Sequence, residues 1–277
     1  MSVSVKQAEG AFSALDGTRL YWRGWVQPGS RVTFAVLHGH GEHSGRYAGF
    51  ATAMSARGYS TYAFDWRGHG LSEGQRGHAG SFDDLTGDAR LFIEEVRRAQ
   101  AGEEVLPLGH SVGGSILLSA IVRSQVQPRR FAVSSPALRV RAKVPQWKLA
   151  AAGALSRLAP KVALATDLET AAISREPAVV EAYEKDPLVH SRMTARLYAE
   201  WSAANAEIMS RAGEIKVPFF ASHGTDDRII DPLATEEFYK RTAIAGSVLK
   251  LYAGSYHEPF NDLDREQVFS DLATWVG

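Results

Sequence analysis

Short, continuous apolar runs recur along this chain, and most of them end in a glycine-containing turn. The run "FAVL" (34–37) precedes "HGHGE", and the pattern returns in "YSTYAFDWRGHG", "EEVLPLGHSVGG", "VPFFASHG" and "SVLKLYAG". Such runs are typical of strands that are buried on both faces of a parallel sheet. Helix-compatible segments lie between them, at about 46–57, 82–100, 112–125, 233–243 and 262–276. This alternation predicts an α/β fold with a mostly parallel central sheet that is flanked by helices.

One long interval interrupts the alternation. Between residues 137 and 213 no convincing buried strand is visible, whereas "EPAVVEAYEKDP" and "TARLYAEWSAANAEIMSRA" suit helices. The interval is longer than one crossover needs, so we expect an inserted helical cap. The alternative is that it holds crossover helices alone. The predicted organisation is a core in two parts, 1–136 and 214–277, with the cap or lid at 137–213.

Composition limits the classes of partner and chemistry. Lys+Arg and Asp+Glu both number 31, so the net charge is zero and nucleic acid is not an expected partner. The chain has no cysteine, which excludes disulfides, thiolate metal ligands and cysteine nucleophiles. The start "MSVSVKQAEG" does not resemble a secretory signal, and no apolar stretch reaches the roughly 18 residues of a membrane-spanning helix. We therefore expect a cytoplasmic protein; composition leaves its oligomeric state open.

The stretch "GHSVGG" (109–114) matches the G-x-S-x-G nucleophile elbow, in which a serine stands on a sharp turn between a strand and a helix. The flanking segments "EEVLPL" and "VGGSILLSAIVRS" suit that strand and that helix. Taken alone, the motif could equally be a small-residue turn without chemistry. Pro107 is an awkward neighbour, because proline removes a hydrogen-bond donor from a central strand.

The rest of the chain supplies partners for Ser111 in the order Ser, acid, His that hydrolases of this fold use. "SHGTDDRIID" offers Asp226 and Asp227 after an apolar strand, and "GSYHEPFND" places His257 after the last strand. The base must reach the serine hydroxyl, and the acid must orient the imidazole. We predict Ser111 as nucleophile, Asp227 as acid and His257 as base. Asp226 is the alternative acid, otherwise a turn or capping residue.

An oxyanion site needs two backbone N–H groups, one from the residue after the nucleophile and one from an early strand–loop junction. Val112 is the first, and we choose His40 in "HGHGEHSGRY" as the second. A metal site must also be weighed, because several ligand-type side chains crowd this stretch: His38, His40, Glu42 and His43. Their spacing matches no zinc pattern, so we expect no metal and no other cofactor. We interpret Arg67 and His69, in the turn "DWRGHGLSEG", as structural.

Five motifs together resemble one family. "HGHGEHSGRY", "DWRGHGLSEG", "GHSVGG", "HGTDDRI" and "YAGSYHEPFND" are similar, in this order, to those of serine α/β-hydrolases of the monoacylglycerol lipase and lysophospholipase-like branch. The segment "TAAISREPAVVEAYEKDPLVH" is also similar to that branch, especially to bacterial monoacylglycerol lipases. The resemblance implies an α/β-hydrolase fold and the same triad and oxyanion residues.

The resemblance also implies a glycerol-binding set, which is Glu42, Arg46 and Tyr183 in this chain. Glu42 and Arg46 could instead form only a structural ion pair. The chain departs from the branch at His40, where Ala or Leu is frequent, and at Val112, where Met is frequent. Phe260 stands where the mammalian enzyme has a further histidine. These departures leave other short or medium esters open as substrates.

The sequence therefore predicts a carboxylic ester hydrolase that cleaves a lipid-like small molecule, with monoacylglycerol as the leading substrate. A lysophospholipase or broad carboxylesterase would keep the same triad, and a non-catalytic ligand-binding module on this fold is the distant alternative. Dehalogenases and epoxide hydrolases of this fold use an aspartate nucleophile, which Ser111 argues against. An apolar face in the cap predicts transient contact with membrane surfaces, with packing on the core as the alternative. It comprises Val144, Trp147, Leu149, Leu155 and Leu158.

Overall fold

The computed structural model describes residues 5–141, 153, 155–166 and 168–277, and its centre is an eight-stranded sheet. The strand order is β1-β2-β4-β3-β5-β6-β9-β10. The pairs β1–β2 and β2–β4 are antiparallel, and all other neighbours in this sheet are parallel. The predicted α/β fold with a mostly parallel sheet is therefore confirmed. The strands are Lys6–Ser13 (β1), Arg19–Val26 (β2), Val32–Leu37 (β3), Ser60–Phe64 (β4), Glu104–His110 (β5), Phe131–Ser134 (β6), Phe219–Gly224 (β9) and Val248–Tyr252 (β10).

The helices begin and end where local signals favour it. Ser81 forms a capping box with Asp84 at the start of the helix Phe82–Ala99, and Thr194 caps the helix Ala195–Arg211 through the amide of Leu197. The stretch predicted at 112–125 ends at Val122 instead, because Ser124 takes a left-handed conformation with φ of 59°. The helices are Ala48–Ser55 (α1), Phe82–Ala99 (α2), Val112–Val122 (α3), Pro177–Lys185 (α4), Ala195–Arg211 (α5), Pro232–Thr242 (α6) and Arg265–Val276 (α7).

Helices cover both faces of the sheet. Successive residues of a strand point to opposite faces, so Phe34 and Val36 of β3 join one core cluster while Ala35 and Leu37 join the other. The first cluster packs beneath α1 and α7, and the second packs beneath α2, α3 and α5. Burial on both faces explains why the central strands read as continuous apolar runs. Each fully buried side chain such as Phe34 contributes about 1.5–3 kcal/mol through the hydrophobic effect.

The interval between β6 and β9 contains further elements. The strands Ala163–Ala165 (β7) and Arg192–Thr194 (β8) form a two-stranded antiparallel sheet, and α4 lies between them in the chain. Helix α5 buries Leu197, Trp201 and Ile208 in the same cluster as α2 and α3, so it is also a layer of the core. The division into core and cap at 137–213 remains a prediction. Among the described helices, none is long and apolar enough to cross a membrane.

The register of β5 explains how the sheet accommodates Pro107. The amide of Glu104 bonds toward β3 and the amide of Ser111 bonds toward β6, so by alternation position 107 faces β6. Pairing with β6 begins only at Leu108, opposite Ala132. Pro107 therefore lies just before the first rung of that ladder, where a missing N–H costs least.

Candidate active site

Ser111 stands on a strained turn between β5 and α3. Its φ is 52° and its ψ is −122°, a conformation that non-glycine residues rarely adopt. The turn fits only because its neighbours are small. A Cβ on Gly109 would lie 2.6 Å from the carbonyl oxygen of Gly113, and a Cβ on Gly113 would lie 2.2 Å from that of Leu37. The glycines thus let α3 begin directly against the end of β3, which presents the Ser111 side chain at the carboxyl edge of the sheet.

The structure brings Ser111, His257 and Asp227 into one hydrogen-bonded chain. The Ser111 hydroxyl donates to His257 Nε2 at 2.9 Å, and His257 Nδ1–H donates to Asp227 Oδ2 at 2.6 Å. Asp227 follows β9 and His257 follows β10, so both come from the same sheet edge as Ser111. Asp226 is exposed and accepts a hydrogen bond from the Thr225 hydroxyl. Of the two candidate acids that the sequence offers, Asp227 is the one that contacts His257.

The carboxylate of Asp227 is fully buried, and every bond it makes favours its charged form. Oδ1 accepts the amides of Ile229 and Ile230 at 2.8 and 2.9 Å. Oδ2 accepts His223 Nε2–H at 2.9 Å in addition to His257. Burial alone would raise the pKa of Asp227, but the His257 charge and the hydrogen bonds from both histidines hold it well below its usual range.

The same charge acts on His257 in the opposite direction. Burial alone would lower the pKa of His257, but the Asp227 carboxylate raises it above its usual value, with further help from Glu258 and Glu42. The bond to Asp227 fixes the proton on Nδ1 and leaves Nε2 as an acceptor that faces Ser111. A neutral imidazole in this tautomer can accept the serine proton.

The loop after β3 lies beside Ser111. A Cβ on Gly39 would lie 3.1 Å from Ser111 Cβ, and the Gly39 amide donates to Glu42 Oε1 at 2.6 Å, which holds the loop in place. Among the described residues, the backbone N–H groups of His40 and Val112 have no acceptor. His40 and Val112 line the same cavity as Ser111, and their role as oxyanion donors remains a prediction.

Glu42, Arg46 and Tyr183 also come together, with Glu258 as a fourth member. Arg46 donates to Glu42 at 2.8 Å and forms a two-pronged pair with Glu258 at 2.7 Å, and its guanidinium lies 4.7 Å from the centre of the Tyr183 ring. Burial alone would raise the pKa of Glu42, but the charge of Arg46 lowers it to about 2. Glu42 and Tyr183 line the cavity above Ser111, whereas Arg46 stands behind them and is paired on two sides. The ion pair considered from the sequence is thus present.

A cavity of about 440 Å³ opens above Ser111 and His257. Its volume lies within the range of small-molecule sites. Polar groups cluster at the Ser111 end, where Glu42, His110 and Glu258 join the wall. The rest of the wall among the described residues is mostly apolar and includes Val140, Leu164, Ile173, Met193, Ile229 and Ile230.

Sequence reasoning missed His223 and Glu258. His223 stands four residues before the predicted acid in "SHGTDD", but only the fold shows that its ring donates to Asp227. Glu258 follows His257 directly, and its partner Arg46 is 212 positions away. A short separation in the sequence from a predicted site residue was the one available signal in both cases. Arg67, interpreted as structural, pairs with Asp88 and Asp16 at 2.6 and 2.8 Å, away from Ser111.

Comparison with known proteins identifies the family. The family model described as "Hydrolase_4: Serine aminopeptidase, S33" matches residues 29–264. This chain belongs to the Hydrolase_4 family. The monoacylglycerol lipase of Mycolicibacterium smegmatis is 31% identical over 276 residues, which cover 99% of this chain and 98% of that protein. The phospholipase YtpA of Bacillus subtilis is 27% identical over 248 residues, which cover 88% of this chain and 95% of that protein.

Solved structures agree with this assignment. The crystal structure of the Paleococcus ferrophilus monoacylglycerol lipase superposes with a TM-score of 0.82, at 29% identity and 98% coverage of both chains. Within the Hydrolase_4 family, the chain is thus a monoacylglycerol lipase-like serine hydrolase. The resemblance, the α/β-hydrolase fold and the carboxylic ester hydrolase class, all predicted from the sequence, are confirmed.

Proposed function

We propose that this protein hydrolyses monoacylglycerols to a fatty acid and glycerol through an acyl-enzyme on Ser111. The observation that carries the proposal is the hydrogen-bonded chain from Ser111 through His257 to Asp227, at the polar end of a largely apolar cavity. An apolar cavity suits an acyl chain, and a polar end suits the glycerol hydroxyls. The names of the relatives support the same substrate class.

The proposed reaction has two steps. His257 Nε2 takes the proton of Ser111 while the serine oxygen attacks the ester carbonyl, and the His40 and Val112 N–H groups stabilise the oxyanion. The protonated His257 then gives that proton to the departing glycerol oxygen, which leaves the acyl group on Ser111. Water attacks the acyl-enzyme with His257 again as base, and the fatty acid leaves as the serine regains its proton. Asp227 stays ionised throughout and stabilises the imidazolium.

The decisive experiment compares Ser111→Ala with a matched serine on the same helix. Ser119 is buried in α3, and its hydroxyl has no hydrogen-bond partner among the described residues. We therefore expect Ser119→Ala to keep the fold and the hydrogen bonds of the site. We expect wild type and Ser119→Ala to release a burst of p-nitrophenol from an acyl ester and to react with a fluorophosphonate probe. Ser111→Ala should do neither. A wild-type protein that shows neither burst nor labelling would support a non-catalytic ligand-binding module instead.

Substrate preference needs its own panel, because a phospholipase relative makes lysophospholipid the second candidate. We expect monoacylglycerols to be cleaved faster than lysophosphatidylcholine and simple methyl esters of the same acyl chain. Equal rates on all three would leave the triad intact and contradict the monoacylglycerol assignment.

Tyr183 tests the glycerol end of the site. Its hydroxyl has no hydrogen-bond partner among the described residues and lies near Gly41, at the cavity wall. A hydrogen bond to a glycerol hydroxyl contributes about 0.5–1.5 kcal/mol, which is about 2- to 10-fold in kcat/KM. Tyr183→Phe should lose this factor on monoacylglycerol and keep full activity on the methyl ester, which has no glycerol. An equal loss on both esters would place Tyr183 in a structural role.

Contact with a lipid surface is proposed from the described part of the predicted cap. Of the predicted apolar face, Val144, Trp147 and Leu149 lie outside the described residues, Leu155 is half-buried and Leu158 is 85% exposed. Leu164, which was not part of that prediction, is 58% exposed. Leu158→Ser should weaken sedimentation with phospholipid vesicles, whereas Leu15→Ser, which changes an 80% exposed leucine in the β1–β2 turn, should not. Equal binding by both variants would argue against this surface. A cytoplasmic location, peripheral at membranes, stays a prediction that cell fractionation tests.

A further inference from the structure

Three histidines from distant segments converge beside the cavity. His40 follows β3, His69 follows β4, and His190 precedes β8. One ligand-type nitrogen from each lies within 4.8 Å of the other two. The ring centres of His69 and His190 are 4.5 Å apart, and that of His40 is 5.2 Å and 5.6 Å from them.

Ring nitrogens of two of these histidines lack hydrogen-bond partners. Among the described residues, both ring nitrogens of His40 and Nε2 of His69 are buried without a hydrogen bond, although the backbone of Arg192 lies close to the His40 ring. Buried side-chain nitrogens in proteins are nearly always bonded to protein, water or an ion. A neutral imidazole has one N–H and one lone pair, so His40 and His69 each present one unused lone pair. Two such lone pairs in one cluster point to a ligand that accepts them, as a metal ion does.

Backbone carbonyls hold two of the rings from outside. His69 Nδ1–H donates to the carbonyl of Arg67 at 3.1 Å, which leaves the lone pair on Nε2. His190 Nε2–H donates to the carbonyl of Gly68 at 3.1 Å, and its Nδ1 accepts only a long bond of 3.3 Å from the Arg192 amide. A histidine that binds a metal usually donates its other N–H to a carbonyl or carboxylate in this way, because that bond fixes the tautomer.

The sequence led us to expect no metal and a structural role for His69, but the folded cluster points elsewhere. We propose that His40, His69 and His190 bind one divalent transition-metal ion of the zinc class, and that this ion inhibits hydrolysis. Imidazole ligands suit zinc, copper and nickel, and three of them with one open position match a common zinc arrangement. Zinc–nitrogen bonds of about 2.0–2.1 Å place ligand nitrogens about 3.4 Å apart, so the rings need shifts of roughly 1 Å. Arg76 and Arg192 bring positive charge close to His190, which weakens the binding of a cation there.

The inhibitory part rests on the proposed function. His40 and His190 line the cavity, so an ion can reach the cluster from the substrate side. His40 is also the residue whose backbone N–H is proposed to stabilise the oxyanion. An ion that binds its ring would fix the loop after β3 in one position and occupy space next to the reacting ester. Both effects lower the rate without any change to Ser111, His257 or Asp227.

The test measures binding separately from activity. Protein dialysed against EDTA is titrated with ZnCl2 by calorimetry, and with CoCl2 while the visible spectrum of four-coordinate cobalt is recorded. The variants are His69→Gln and His190→Gln. His190 is only partly buried whereas His69 is buried, so replacing His190 is the safer change for the fold. Circular dichroism checks that both variants are folded. His78→Gln is the matched control, because His78 is a partly buried histidine outside the cluster that bonds Thr194.

We expect one zinc ion per wild-type chain and per His78→Gln chain, with at least tenfold weaker binding in both cluster variants. Zinc should inhibit hydrolysis by the wild type at the concentrations that saturate binding, and should inhibit His190→Gln at least tenfold more weakly. Unchanged binding in both cluster variants, or no binding to wild type at millimolar zinc, overturns the site. Binding without inhibition of an active wild type overturns the inhibitory role. If the wild type hydrolyses no ester, the proposed function fails, and calorimetry still decides the metal site.

Discussion

Replacing His223 tests how the acid of the proposed triad is held. The side chain is fully buried; its Nε2–H donates to Asp227 Oδ2 at 2.9 Å, and its Nδ1 accepts from the Thr235 hydroxyl at 2.8 Å. His223→Leu keeps much of the volume and removes both bonds. A hydrogen bond to a charged group contributes about 1.5–3 kcal/mol, and a buried hydroxyl left without a partner costs about 1–3 kcal/mol. We therefore expect the free energy of unfolding to fall by about 3–5 kcal/mol, measured by urea denaturation.

The effect on activity has a definite sign. Without the His223 donor, more of the Asp227 charge acts on His257, so the pKa of His257 rises further. The lost bond corresponds to about 1–2 pK units at Asp227, of which a part is passed on. The acidic limb of kcat/KM should move to higher pH by about half a unit to one unit. Because Asp227 remains, the rate at the optimum should fall only about tenfold, far less than the roughly 10⁴-fold loss when a triad acid is removed.

Two further variants separate the causes. His223→Gln can still donate an N–H to Asp227, so its pH profile should stay near that of the wild type. Thr235→Val removes the outer bond alone and should lower stability without a shift of the acidic limb. The assay is p-nitrophenyl ester hydrolysis from about pH 5 to 9, with circular dichroism at each end. An acidic limb in His223→Leu that coincides with that of the wild type would refute the idea that His223 acts through Asp227.

Three other outcomes follow from the structure. The wild-type kcat/KM should fall as pH drops through a value above the ordinary histidine pKa of about 6.5, because the raised pKa of His257 removes the neutral base; a pH–rate profile checks this. Gly113→Ala should unfold or fail to accumulate, since its Cβ would meet carbonyl oxygens at 2.2 and 2.4 Å, whereas Gly87→Ala in α2 meets nothing within 4 Å and should gain about 0.5–1 kcal/mol in thermal unfolding. Arg67→Met should cost about 3–5 kcal/mol by leaving Asp88 buried without its partner, while the remaining folded protein keeps its kcat.

The sequence predicts the fold and the triad residues because both depend on local patterns. The apolar runs before Ser111, Asp227 and His257 are short and can be recognised as strands within a small window of sequence. The glycines around Ser111 are spaced as the nucleophile elbow requires, so they too can be recognised from the sequence. The sequence gives weaker grounds for choosing between Asp226 and Asp227, because both acids follow the same strand. In the structure, Asp227 receives the amides of Ile229 and Ile230 and is drawn inward, and those bonds depend on how the loop turns.

Pairs of distant residues lie beyond such patterns. Glu258 is held by Arg46, and the two are 212 positions apart, so no window of the sequence contains both. Arg46 is paired with Glu42 as well as with Glu258, so two negative charges face one positive charge. Asp227 raises the pKa of His257 most, and Glu258 and Glu42 add to this, against the effect of burial. Whether burial or the nearby carboxylates have the larger effect on the pKa of His257 depends on distances that exist only in the folded chain.

The topology of the sheet explains which of the predicted residues meet and which residues the sequence could not place. Parallel strands end at the same edge of a sheet, so the residues that follow them meet there. Ser111, Asp227 and His257 follow β5, β9 and β10, and the sequence order of the strands is enough to bring them together. His40 and His69 follow β3 and β4, which are neighbours in the sheet, so their approach obeys the same rule. His190 comes from the segment between β6 and β9, outside the parallel strands, and nothing in the strand order places it there. A cluster that needs all three histidines therefore becomes visible only in the folded chain.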